Sequence, residues 1–83
     1  MEVIREGGFA KVGDFVRNGW STETRSIAPP YIYGIVVEVF PRSPEHYTPE
    51  QIAEAPIKDM RMLVGGKIIR RYGVHIEVIS EGR

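Results

Sequence analysis

The sequence contains no cysteine. Disulfides and thiolate metal sites are therefore excluded, and the chain is compatible with a reducing compartment. Histidine is scarce: His46 and His75 are the only two. They stand far apart, whereas a metal centre usually draws three or four clustered ligands. His75 reads as a packing or hydrogen-bonding residue in a turn, and His46 as an exposed loop residue. No metal and no cofactor are expected. An excess of one charge is also missing, because 11 Lys and Arg balance 11 Asp and Glu. That balance argues against a dedicated nucleic-acid binder and leaves room only for a local basic patch. No apolar run approaches the roughly 20 residues needed to cross a bilayer. The mixed-charge start, Met1 to Gly8, lacks the apolar region of a signal peptide. Neither a membrane nor a secreted location is expected, and the chain is expected to be made in a cytoplasm.

The 83 residues, 42% of them hydrophobic, suit one small domain, 1–83, with one modest core. The organising stretch is Lys11-Val12-Gly13-Asp14-Phe15-Val16-Arg17. Gly13-Asp14 makes a tight turn, with the Asp side chain stabilising it, and feeds a strand from Asp14 to Arg17 in which Phe15 or Val16 is core. Ahead of it, Val3 and Ile4 either add a short strand or fray. From Asn18 to Pro30 the chain is polar, punctuated by Gly and Pro and without sustained period, which reads as a long loop.

Tyr31 to Phe40 is the strongest strand pattern, rich in β-branched and aromatic residues. Ile35, Val37 and Val39 fall on one face, and Val36, Glu38 and Phe40 on the other. Two largely apolar faces predict a long central strand bending from one sheet into the next, with Gly34 as the bend or bulge point. Pro41 to Lys58 reads as an insertion. Thr48-Pro49-Glu50-Gln51 starts a short helix there through a capping box, and Pro56 stops it. Asp59 to Val64 is the next strand, Gly65-Gly66 a two-residue hairpin turn, and Lys67 to Tyr72 the return strand. The doubled Ile68-Ile69 and Arg70-Arg71 predict a bulge or strong twist. Tyr72 to His75 is a tight, 3₁₀-type connection, and Ile76 to Ile79 the last strand. About five short strands in so small a chain are expected to curl and close, since closure removes exposed edges. The predicted class is all-β: a small SH3-like five-stranded barrel with one short helix in an inserted loop.

Four segments carry a resemblance: Lys11 to Arg17, Tyr33-Gly34-Ile35-Val36, Arg61-Met62-Leu63-Val64-Gly65-Gly66-Lys67, and His75-Ile76-Glu77-Val78-Ile79-Ser80. Together they resemble small SH3-like barrel proteins of tailed bacteriophages, which often read as a Gly-Asp-Leu-Val-Arg start, a Gly-Ile-Val middle, a hairpin with a glycine turn and a Leu-Glu-Val-Ile end. The match covers most of the barrel and departs at the two long loops, 18–30 and 41–58. The resemblance implies a non-enzymatic protein-binding or structural module, a minor virion component of capsid, neck, tail or baseplate. Its expected partners are other proteins, phage structural proteins among them, in one or more copies. The expected location is the virion or the host cytoplasm. A similar Gly-Asp start and Gly-Ile-Val strand occur in KOW-type barrels of transcription and ribosomal proteins, which makes a nucleic-acid or transcription-machinery binder the alternative.

Catalytic chemistry finds no footing. Ser21, Thr22, Thr24, Ser26, Ser43 and Thr48 are loop-type residues without nucleophile-elbow or triad spacing. Glu50 and Glu54, one helical turn apart, form an ordinary solvated face. Neither Gly7-Gly8 nor Gly65-Gly66 has the context of a phosphate loop. Two groups remain as candidates. The aromatic and apolar residues Trp20, Ile27, Tyr31, Tyr33 and Tyr47, in or beside the two long loops, suit protein-binding anchors. Arg61, Lys67, Arg70 and Arg71, gathered by the Gly65-Gly66 hairpin, suit a phosphate backbone unless Glu38, Asp59 and Glu77 neutralise them.

Overall fold

The computed structural model describes residues 3–18 and 31–82. Six strands form one antiparallel sheet: β1 (Arg5–Glu6), β2 (Phe15–Asn18), β3 (Tyr33–Pro41), β4 (Ile57–Val64), β5 (Lys67–Tyr72) and β6 (Ile76–Ser80), in the order β1-β6-β2-β3-β4-β5. The fold is all-β with one short helix, α1 (Pro49–Glu54). The extra strand comes from the N-terminus, two residues later than Val3 and Ile4 suggested: Arg5 pairs with Val78 and Glu6 with Glu77.

Local chemistry explains most of the elements. At the Gly13-Asp14 turn the glycine has φ of +95°, and the Lys11 backbone N–H donates to Asp14 Oδ2 at 2.8 Å. At the β4–β5 hairpin Gly65 and Gly66 have φ of +54° and +83°, the pair of positive angles that a two-residue turn needs to match strand twist. The α1 capping box is complete: the Gln51 backbone N–H donates to Thr48 Oγ1, and the Thr48 N–H to Gln51 Oε1. The helix buries none of its own residues, so these caps carry much of its stability. Thr48→Ala is expected to unravel α1 at a cost of about 1 kcal/mol, read as faster amide exchange at Gln51 and Ile52 with little change elsewhere. The predicted tight connection is a 3₁₀ turn at Gly73–His75, where Tyr72 and His75 rings pack edge to face at 5.8 Å.

The core lies on one side of the sheet. Val16, Val36, Met60, Met62, Ile76 and Val78 are buried there with Ala10, and Val39, Ile57, Val64 and Ile69 pack against them. The expectations about β3 are corrected. The irregularity in β3 is not at Gly34. Its register against β4 shifts between Val36, opposite Met62, and Glu38, opposite Arg61, and again between Phe40 and Pro41 at the end of the strand. Val37 is the extra residue and is 40% exposed, so Val36 and Val39 both reach the core and the face shared by Ile35, Val37 and Val39 does not exist. Gly34 is instead a close-packing point, since a Cβ there would lie 2.5 Å from the Leu63 carbonyl oxygen. The strand stays within a single sheet and does not pass into a second. Of the two readings of the doubled β5 residues, a bulge or a strong twist, the bulge is absent: the pairing with β4 runs unbroken from Asp59 with Tyr72 to Val64 with Lys67. The doubled residues of β5 reflect an edge strand, which has less to bury and needs no strict alternation.

Candidate functional site

The side of the sheet away from the core carries the candidate site. Phe15 and Arg17 on β2, Tyr33 and Ile35 on β3, Leu63 on β4 and Ile68 on β5 alternate with core residues and therefore point outward. Register then lines them up. Phe15 pairs with Ile35, Ile35 with Leu63, and Leu63 with Ile68. The result is one apolar row running across four strands. Ile35, Leu63 and Ile68 in it are 46%, 40% and 55% exposed. Such a run of adjacent exposed apolar side chains is uncommon on a monomer and marks contact surfaces.

Aromatic side chains extend the row at the β2 end. Phe15 and Tyr33 stack at 5.8 Å, and Tyr31 meets Tyr33 edge to face at 6.1 Å. The Arg17 guanidinium lies 4.4 Å from the centre of the Tyr31 ring while its Nε donates to Glu77 Oε1 at 3.0 Å. The Glu77 bond raises the pKa of Arg17 further above its ordinary value, so this charge is constant at any pH at which the protein would be handled. Asn18 fixes the root of the cluster, accepting from the Ile32 N–H at 2.6 Å through its side chain. A rigid aromatic group beside an apolar row is the composition of an interface centre.

The five anchors expected for protein binding divide accordingly. Tyr31 and Tyr33 are in the cluster. Tyr47 is not: it sits in the insertion beneath the Arg42 guanidinium, 4.9 Å from ring centre to charge, and Arg42 in turn donates to the Gln51 carbonyl. Trp20 and Ile27 lie outside the described residues. Phe15, Ile35, Leu63 and Ile68 were not singled out from sequence, because apolar strand residues read as core.

The basic residues are indeed neighbours, Arg61 pairing with Arg70 across the β4–β5 hairpin. Both are matched by carboxylates: Arg61 reaches Glu38 at 3.4 Å, and Arg70 reaches Asp59 at 3.0 Å. Phe40 lies under both guanidinium groups. Glu77 serves Arg17 and takes no part. Lys67 and Arg71 make no ion pair among the described residues. Asp59, Arg70, Arg71 and Tyr72 line a shallow groove of about 460 Å³ along β5. Asp59 is 6% exposed, and its Oδ1 is buried with no hydrogen-bond partner. Among the described residues no three His, Cys, Asp or Glu side chains cluster as a metal site, and no helix is long and apolar enough to cross a membrane. Compared with protein-family models, curated proteins and solved structures, the chain matches none.

Proposed function

We propose that the chain is a non-enzymatic protein-binding module of a tailed bacteriophage, a small SH3-like barrel that serves as a minor virion component. The observation that carries the protein-binding role is the solvent-facing row Phe15, Ile35, Leu63 and Ile68, flanked by Tyr31 and Tyr33. Exposed apolar surface of this extent costs free energy in water, and covering it with another protein recovers that cost. The barrel reading is supported by the serial antiparallel order of β2 to β5, by the return of β6 to pair with β2, and by the 3₁₀ turn just before β6. The phage setting rests on the resemblance of the turn and strand segments. A nucleic-acid role is less well supported, since two of the four basic side chains already answer to carboxylates.

The test is incorporation into particles. Phage particles assembled with wild-type protein or with the Leu63→Glu variant are purified and the chain is quantified by mass spectrometry. Wild type is expected at a fixed copy number, and Leu63→Glu is expected to fall at least about tenfold, as an interface core that receives a charge does. Equal incorporation of the two proteins, or absence of the wild type from particles, overturns the proposal.

A further inference from the structure

We propose that the free edge of β5 accepts an extended strand of the partner protein, antiparallel to β5, with apolar side chains on one of its faces and carboxylates on the other. The inference rests on the protein-binding reading above and names the partner's chemistry.

β5 is the last strand of the sheet. Its two-residue turn makes Val64 and Lys67 the closing hydrogen-bonded pair, and bonded and non-bonded pairs alternate from there. Ile69 and Arg71 therefore bond β4, while the N–H and C=O groups of Ile68, Arg70 and Tyr72 point away from the sheet. No turn or loop among the described residues bonds these outward groups. One side chain does: Arg71 Nη1 donates to the Arg70 carbonyl at 2.8 Å. By contrast, the opposite edge strand, β1, has only two residues. The six-residue β5 is the long edge, and a long edge is a template for a further strand.

The side chains around the edge define what that strand must carry. Ile68, Arg70 and Tyr72 lie on the outer face, with Ile68 and Tyr72 55% and 57% exposed. Apolar residues set opposite them would lengthen the row Phe15-Ile35-Leu63-Ile68 by one strand. Lys67 and Arg71, on the other face, are exposed and have no carboxylate among the described residues. Acidic residues opposite Ile69 and Arg71 would pair with them across the strands. The same charges act against a second copy of β5, whose arginines would face these ones.

The experiment uses a blocked octapeptide, G-V-E-T-E-V-D-G, and a control, G-V-K-T-K-V-K-G, titrated into the full chain by amide NMR. The acidic peptide is expected to bind with a dissociation constant of about 1 mM or tighter. It should shift the Ile68, Arg70 and Tyr72 amides and slow their exchange. Arg71→Glu is expected to weaken it by about fivefold. Ile68→Pro, which removes an outward N–H and leaves the β4 ladder intact, is expected to abolish binding while thermal unfolding shows the chain still folded, whereas Ile68→Ala, which trims the same apolar side chain and keeps the N–H, is expected to retain most of it. Equal binding of the lysine peptide, no binding of either, or shifts confined to Phe15, Ile35 and Leu63 would overturn the inference. A dimer in sedimentation that Ile68→Pro dissolves would overturn it too, by putting a second copy on the edge. The two readings separate in particles. Normal incorporation of Ile68→Pro with loss of Leu63→Glu removes the added strand and keeps the apolar face, whereas normal incorporation of Leu63→Glu removes the face itself.

Discussion

Asp14→Ala is expected to destabilise the chain by about 4 kcal/mol, the scale seen when one member of a buried charged pair is removed. Asp14 is 2% exposed, and its carboxylate holds three separate parts of the chain. Oδ2 accepts from Arg5 Nη2 at 2.8 Å and from the Lys11 N–H at 2.8 Å. Oδ1 accepts from the Gly82 N–H at 3.1 Å. Its backbone adds a fourth, because the Asp14 carbonyl accepts from the Val36 N–H. One side chain thus ties β1, the turn before β2 and the segment after β6 to one point. Loss of the carboxylate leaves two backbone N–H groups without their acceptor, and the partly buried Arg5 guanidinium with only the exposed Glu81 at 3.4 Å. A domain of this length has about 4–12 kcal/mol in all, so the variant should lie close to its unfolding threshold in chemical denaturation. Asp14→Asn should lose roughly half as much, since one amide oxygen replaces two acceptors. Arg5→Ala should cost less than either, because Arg5 is 21% exposed at its side chain and water can replace part of what it loses. Arg5→Ala combined with Asp14→Ala should cost clearly less than the sum, as residues of one network do. Additive losses would mean that Asp14 acts through the turn alone.

The turn that Asp14 makes was legible because its determinants are adjacent in sequence: a glycine that can take positive φ and a side chain that reaches back three residues. The ties to Arg5 and Gly82 were not, since nothing local marks which residues the sheet returns to the same point. The same division holds along the sheet. Gly65-Gly66 and the Thr48 capping box act within a few residues and were read correctly. The bulge at Val37 depends on which β4 residue stands opposite, and no feature of Val36-Val37-Glu38 announces it. Gly34 drew the wrong inference for a related reason, because its lack of a side chain serves the approach of the Leu63 backbone from another strand. The candidate site was legible only at its aromatic end. Tyr33 stands out by type, whereas Ile35, Leu63 and Ile68 look like any buried strand residue. One signal was available: β3 presents two largely apolar faces, and a chain of 83 residues cannot bury both. One face had to remain at the surface, although only the register shows which.

That opposition of faces gives the second large effect. Met62 and Leu63 are neighbours in β4, yet Met62 is fully buried and Leu63 is 40% exposed. Met62 packs in the core with Val16, Val36, Met60 and Val78, and its methyl group also lies close to Gly34. Truncation to Ala removes its transfer free energy and leaves a cavity that β-strands held by the ladder cannot close, so Met62→Ala is expected to cost about 3 kcal/mol. For a domain of this size that is a fall in Tm of roughly 12–24 °C. Leu63→Ala, one residue along, should cost about 1 kcal/mol or less, because much of its side chain already meets water. If the outer row exists to be covered, partner binding should respond in the opposite order: Leu63→Ala should weaken it strongly, and Met62→Ala should leave it intact at temperatures where the variant is folded. Thermal unfolding of the two variants beside their incorporation into particles measures both orders. A Leu63→Ala variant as unstable as Met62→Ala would show that the outer face is a second core, and the apolar row would then belong to folding and not to a partner.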